Sequence, residues 1–100
     1  MALDDSVIVK IDGGEINMGS PALNDWVMFE RMEKESIDKQ AELLFSKVIH
    51  ISNVRLKNGE EITLENVKQK EVPVVFFFLL KNLWIKELVN KGLEIAGKNA

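Results

Sequence analysis

Apolar and polar residues alternate over positions 6–11, and this period of two predicts a β-strand with one apolar face. Gly13 and Gly14 follow in the stretch DGGE. As a two-residue loop they supply the positive φ angles of a tight hairpin turn, which would place Ile11 opposite Ile16. The apolar face of the predicted hairpin consists of Val7, Val9, Ile11, Ile16 and Met18.

The apolar positions of residues 21–48 recur at about every third or fourth residue, which predicts an amphipathic helix. Ser20 is the expected N-cap with Pro21 in the first turn, and a later start at Asn24 or Asp25 is the alternative. The apolar stripe of this helix consists of Trp26, Phe29, Ile37, Ala41, Leu44 and Val48.

Polar residues fill positions 33–36 of this segment and leave its continuity open. In one interpretation Ser36 caps a second, separate helix. In the other the helix is continuous and bent, and Glu35 and Lys39 form a favourable pair four residues apart. We favour the continuous helix.

A second hairpin is predicted around Asn58 and Gly59, a pair typical of tight turns. A strict two-residue loop would oppose Leu56 to Glu61 and mix apolar with polar side chains on one face. One extra residue in the loop restores a common apolar face, so we predict a three-residue loop with Gly59 in the left-handed conformation. The aligned apolar residues are then Val54, Leu56, Ile62 and Leu64.

The segment 72–90 is the most apolar of the chain, and its first nine positions hold eight apolar side chains and one proline. Pro73 suits the first turn of a helix, because its missing N–H has no partner there, and Gly92 suits the helix end. Residues 72–80 alone also fit a β-strand, since they are rich in valine and phenylalanine. We favour a helix over 74–91, because the helical spacing continues well beyond residue 80.

The first two turns of this helix have no polar side, because residues 74–80 are apolar in every direction around the axis. A helix that is apolar all round must be covered all round. The cover is either the helix 21–48, as in an ordinary core, or a second copy or another protein, or a membrane surface. We predict a partner-binding surface composed of Phe76, Phe77, Leu80 and Trp84.

The length of 100 residues fits one domain. We predict a single α+β domain over residues 1–100, in which two β-hairpins form a small antiparallel sheet and two helices pack against it. Frayed ends are expected at 1–5 and 93–100. Residues 9–18 resemble residues 54–64, and each stretch precedes a helix, so a duplicated ββα unit is an alternative description.

Composition argues against catalysis and against bound cofactors. The chain has no cysteine and a single histidine, His50, which is too few ligands for a zinc site of the usual kind. It also lacks the glycine-rich motifs that bind nucleotide phosphates. We therefore predict no enzyme activity, no cofactor, no metal and no small-molecule ligand, with a small enzyme that has its site near His50 as the alternative.

Charge is distributed unevenly along the chain, with −5 on residues 1–50 and +2 on residues 51–100, which sum to the net charge of −3. Halves of opposite sign can attract each other within one chain or between copies. An acidic balance argues against the basic surface that nucleic-acid binding requires. We therefore expect no nucleic-acid partner.

Location is inferred from three features of the chain. The N-terminal stretch has acidic residues where a signal peptide carries lysines, and no apolar window is long enough to span a membrane. The lack of cysteine fits a reducing compartment. We expect a cytoplasmic protein without a transmembrane segment, and peripheral binding to a membrane surface is the alternative.

Two stretches resemble the phage tail assembly chaperones. Residues 7–35 combine a short hairpin with a polar-capped helix that carries an early tryptophan, and residues 54–72 contain a glycine-turn strand pair of the form G-x-x-ITL. The apolar run 74–80 departs from that pattern. The resemblance covers most of the chain and implies self-association and binding of a tail or tape-measure protein, with no catalytic residues to transfer. The predicted function is a non-enzymatic protein-interaction module.

Overall fold

The computed structural model describes residues 5–98, which form a small sheet and four helices; the side chain of Lys98 lies outside that description. The predicted α+β class is confirmed. In chain order the elements are β1 (Val7–Ile11), β2 (Gly14–Met18), α1 (Leu23–Glu35), α2 (Ile37–Ser46), β3 (Val48–Ser52), α3 (Leu64–Lys68) and α4 (Val74–Lys98).

The sheet is antiparallel with the strand order β1-β2-β3, so β2 lies in the middle. Ile11 pairs with Gly14 rather than with Ile16, because the hairpin turn is Asp12-Gly13, with φ angles of 44° and 84°. The predicted turn at Gly13-Gly14 is therefore wrong by one residue. The register changes by two, and a shift of two keeps every side chain on its predicted face.

Gly14 has a packing role instead of a turn role. A Cβ atom at this position would overlap the carbonyl oxygen of Asn53 and lie 2.8 Å from Cγ2 of Val54. The chain that leaves β3 can therefore cross directly over the start of β2.

The prediction of one continuous helix over 21–48 is wrong, because α1 and α2 are separated at Ser36. The Ser36 hydroxyl accepts a hydrogen bond from the backbone N–H of Lys39 at 3.3 Å and caps α2. The buried side chain of Gln40 donates from Nε2 to the carbonyl oxygen of Phe29 at 3.1 Å and ties the two helices together.

The start of α1 also differs from the predicted cap at Ser20. The helix begins at Leu23, and its N-cap, Ala22, has no side chain that can accept a hydrogen bond. Asp25 lies in the first turn, where a negative charge favours the positive end of the helix dipole.

The second hairpin exists as a turn but not as part of the sheet. Its three-residue loop is confirmed, and Gly59 has the predicted positive φ, 88°. The only ladder contact within the hairpin is an isolated pair between Arg55 and Glu61, and Val54 lies opposite Ile62. The third strand of the sheet is β3, so a duplicated ββα unit is not confirmed.

A short helix, α3, begins where the predicted return strand would have continued. Thr63 accepts a hydrogen bond from the backbone N–H of Asn66 at 3.1 Å, and the Asn66 side chain accepts one in return from the N–H of Thr63 at 3.1 Å. This reciprocal pair is a capping box, which satisfies N–H groups at the helix start. Leu64 is consequently the first residue of a helix and not a strand residue.

The last helix is longer than predicted. Gly92 lies inside α4 rather than at its end, and residues 93–98 continue the helix. The prediction of a helix end at Gly92 is therefore wrong. We also predicted frayed ends at 1–5 and 93–100. Of these residues, 1–4 and 99–100 lie outside the described part of the chain.

Candidate interaction surface

The start of α4 packs its aromatic residues against α2. The rings of Phe76 and Phe77 lie 6.1 Å and 6.2 Å from the ring of Phe45, and all three side chains are buried. These distances are typical of aromatic pairs that pack in a core.

The middle of α4 packs against α1 and the chain before it. The ring of Trp84 lies 5.6 Å from Phe29 and 5.9 Å from Trp26, and its Nε1 donates to the carbonyl oxygen of Gly19 at 3.2 Å. Leu80 is buried in the same cluster of core residues. Trp84 is thus buried in the core, and Trp26 is partly buried against it.

The structure therefore places all four residues of the predicted partner-binding surface in the core of a single chain. Phe76 and Phe77 are at most 5% exposed, and Leu80 and Trp84 are not exposed at all. The sheet together with α1 and α2 covers one side of α4 with the chain's own material. Those four side chains cannot contact a partner unless the domain opens.

The opposite side of α4 is apolar and open. We call it the α4 stripe and define it as five side chains that are between 42% and 68% exposed. Scattered exposed apolar residues are ordinary, but a row of them along one helix is a candidate contact surface. The α4 stripe consists of Val75, Phe78, Leu79, Val89 and Leu93.

Two polar residues divide the α4 stripe into two apolar halves. Asn82 and Lys86 are exposed on the same side of the helix, between Leu79 and Val89. A different lysine, Lys81, is turned toward α1, where its Nζ lies 3.5 Å from a carboxylate oxygen of Glu33. The stripe itself thus carries one positive charge near its centre.

A groove of about 420 Å³ runs beside the second half of the α4 stripe, between α4 and the start of α1. We call it the α1–α4 groove. Its walls are mostly apolar, and Leu23 at its edge is one of the most exposed apolar residues of the domain. The groove is lined by Ser20, Pro21, Leu23, Trp26, Ile85, Leu88 and Val89.

Two smaller concave regions lie elsewhere. One, of about 290 Å³, is lined mostly by polar residues of α4 and by the start of β1. The other, of about 230 Å³, lies between α2 and the start of α4, and a 2.7 Å ion pair between Lys70 and Asp38 stands at its edge. The hydrogen bond to the Asp38 carboxylate raises the pKa of Lys70 above its ordinary value.

His50 lies on the outer face of the sheet. It is an exposed residue of β3, and its pairing partner on β2 is Asn17. None of the three concave regions described above includes His50. Within residues 5–98, no three acidic, histidine or cysteine side chains come close enough together to hold a metal ion.

Comparisons with protein-family models, curated protein sequences and solved structures find no match to this chain. Within the described part of the chain, no helix combines the length and apolarity that crossing a membrane requires.

The four predicted residues lie on the buried side of α4, and the exposed apolar residues of this helix lie on its other side. The apolar run 74–80 gives no orientation, because every direction around the axis is apolar there. The later part of the helix does give an orientation. Val89 and Leu93 continue a row of positions that begins at Val75 and advances in steps of three and four residues. A row with that spacing over so many turns indicates a second apolar face.

Proposed function

We propose that this chain is a protein-interaction module without a catalytic centre of its own, which binds a protein partner through the α4 stripe. The observation that carries the proposal is the division of α4 into two apolar faces, one packed in the core and one exposed over almost the whole helix. Covering the exposed face would be favourable by about 25 cal/mol for each Å² of apolar surface removed from water.

A partner with an amphipathic helix fits this surface best. The α4 stripe is long and narrow, and the α1–α4 groove beside it offers apolar walls to side chains that project from a second helix. Helices that place apolar residues at spacings of three and four into such grooves are a common mode of recognition. The partner is another protein or a second copy of the chain.

The chain's resemblance to phage tail assembly chaperones points in the same direction. It would make the partner a tail or tape-measure protein that is assembled in the cytoplasm. Membrane-surface binding is less well supported, because helices that lie on membranes carry many lysines and arginines beside the apolar face. The α4 stripe has only Lys86 near its centre.

The proposal is tested with Phe78→Glu, which places a charge in the α4 stripe, and with Ile49→Glu as the matched control. Ile49 is 57% exposed, similar to Phe78 at 47%, but it lies on β3. The two variants and the wild-type chain are compared by light scattering over a dilution series and by cross-linking in the cells that produce the protein. Each partner found is then purified and its binding measured directly.

We expect self-association or a binary complex that Phe78→Glu abolishes and Ile49→Glu retains. The proposal is wrong if Phe78→Glu and the wild-type chain have the same mass and the same partners. Sedimentation with vesicles of anionic phospholipid is measured in parallel. Phe78-dependent sedimentation in the absence of any protein complex would also contradict the proposal, in favour of membrane-surface binding.

A further inference from the structure

We infer that the α4 stripe binds the α4 stripe of a second copy of this chain, with the two helices antiparallel about a two-fold axis at the level of Trp84. The inference rests on the proposed function, because it names the partner of that same surface. Trp84 itself points into the core, so the axis would pass on the opposite side of the helix.

Four apolar residues of the α4 stripe are symmetric about residue 84. Val75 and Leu93 lie nine residues before and after it, and Leu79 and Val89 lie five residues before and after it. Their spacing of alternately three and four residues continues through the polar centre, as in helices that pair along a narrow seam. An antiparallel pair would therefore oppose apolar residues at both ends of the contact.

The centre of the row favours the antiparallel orientation. Asn82 and Lys86 lie two residues before and after Trp84, so each Lys86 would lie level with Asn82 of the other copy. The amide oxygen of an asparagine can accept a hydrogen bond from a lysine ammonium. A parallel pair in register would instead place the two Lys86 side chains directly opposite each other, and like charges repel.

One edge of the stripe has a large side chain at one end and a glycine at the other, so the two ends are complementary in size in an antiparallel pair. Phe78, Ile85 and Gly92 are spaced by seven residues and so lie along one edge of the helix, and Ile85 also lines the α1–α4 groove. In an antiparallel pair, the large Phe78 ring of one copy would approach the Gly92 end of the other. Gly92 lies in open space, since a Cβ atom there would meet nothing within 4 Å, so the chain's own packing does not require a glycine.

The expected dimer is a reversible one. The seam from Val75 to Leu93 is only about 27 Å long at 1.5 Å per residue. A standard stable interface buries roughly 800 Å² on each partner, and a single narrow helix seam falls toward the low end of the range. Association should consequently depend on protein concentration.

Disulfide cross-linking tests the orientation, because the chain contains no cysteine and every introduced one is unique. The variants are Val75→Cys and Leu93→Cys, both at exposed positions of α4, and Ile49→Cys on β3 as the control for random collision. Each variant is oxidised alone and in equimolar mixtures, after circular dichroism has shown that it is folded. Mass spectrometry then identifies the chains in each cross-linked product.

We expect a disulfide-linked pair mainly in the mixture of Val75→Cys with Leu93→Cys, well above the level in mixtures with Ile49→Cys. Unmodified chain should approach twice its 11.4 kDa mass at high concentration, and Phe78→Glu should not.

Cross-linking of Val75→Cys with itself, above the Ile49→Cys level, would overturn the inference in favour of a parallel pair. A wild-type chain that stays monomeric at every concentration would also overturn it. If the chain is monomeric, Phe78-dependent binding of a different protein would leave the proposed function intact. If no such binding is found, both the proposed function and the antiparallel dimer are wrong.

Discussion

The rings of Phe77 and Phe78 lie 5.2 Å apart at an angle of 64°, yet Phe77 is 3% exposed and Phe78 is 47% exposed. Successive residues of a helix point about 100° apart, so neighbours can belong to different environments. The boundary between the core and the α4 stripe passes between these two rings. The pair therefore offers a direct comparison of a core residue and a surface residue with identical side chains.

Phe77→Ala should lower the free energy of unfolding by about 3–5 kcal/mol, because it removes a buried ring and leaves a cavity. Phe78→Ala should lower it by only about 1 kcal/mol, since half of that ring is already in water. Urea denaturation at low protein concentration, which disfavours any association between chains, measures both. Equal losses for the two variants would mean that Phe78 is a core residue as well.

Gly14→Ala should destabilise the domain by about 1–3 kcal/mol or more, because the new methyl group overlaps the backbone carbonyl of Asn53. Backbone atoms cannot rotate away as a flexible side chain can. Gly19→Ala is the control, since a Cβ atom there meets nothing within 4 Å and Gly19 has no positive φ. We expect Gly19→Ala to unfold at the wild-type temperature or slightly above it. A thermal melt of Gly14→Ala that matches this control would contradict the close packing.

Local rules account for β1, β2 and the left-handed Gly59. The first hairpin follows from alternation over six residues, and the left-handed Gly59 follows from keeping one apolar face consistent. The shift of the first turn to Asp12-Gly13 was not foreseen, because the alternation is the same in both registers. The close approach of Asn53 to Gly14 comes from a residue about 40 positions away.

The helices depended more on tertiary contacts. The break at Ser36 was one of two interpretations, and the buried bond from Gln40 to Phe29 belongs to the broken form. The helix α3 is absent from the prediction, although its cap Thr63 and the partner Asn66 are only three residues apart in sequence. The side of α4 that faces the core cannot be read from an all-apolar run, because it depends on where the sheet and α1 lie.

Ser36→Ala should lower the free energy of unfolding by about 1 kcal/mol, because the first turn of α2 loses the acceptor of its cap. Ser36→Asp should retain most of the stability, since aspartate caps a helix equally well. Urea denaturation of the two variants measures the difference. A Ser36→Ala domain that is more stable than wild type would indicate that a continuous helix forms without loss.

Lys70 should titrate at a higher pH in the wild-type domain than in an Asp38→Asn variant. The 2.7 Å hydrogen bond to Asp38, with help from the nearby Glu42, raises the pKa of Lys70 in the folded state. A raised folded pKa means that the stabilisation is complete below the ordinary lysine pKa and is lost as the pH rises through the folded value. Because Lys70 is exposed, the effect on stability should be small and should fall with added salt.

Nuclear magnetic resonance of the lysine side chains provides the measurement for Lys70. The carbon next to the ammonium reports the titration of each lysine separately. We expect the Lys70 midpoint to fall in Asp38→Asn while those of the remaining lysines stay constant. Identical midpoints in the two proteins would contradict the ion pair.

Lys68 joins α3 to the end of α2, because its Nζ donates to the carbonyl oxygens of Phe45 and Val48, both at 2.9 Å. Carbonyl groups at a helix C-terminus have no partner within the helix, and a positive charge there is favoured by the helix dipole. Lys68→Met keeps the apolar part of the side chain and removes the donor. We expect a loss of about 1–2 kcal/mol in the free energy of unfolding, measured by urea denaturation.

The control for Lys68 is Lys70→Met, which removes a nearby lysine that follows α3 and whose partner is a single exposed carboxylate. That variant should unfold close to the wild-type midpoint, because exposed ion pairs contribute little. Hydrogen exchange adds a local readout, since loss of the Lys68 contacts should speed exchange in the last turn of α2 and leave β1 unchanged. If Lys68→Met and Lys70→Met unfold at the same urea concentration, the contacts of Lys68 do not hold α3 against α2.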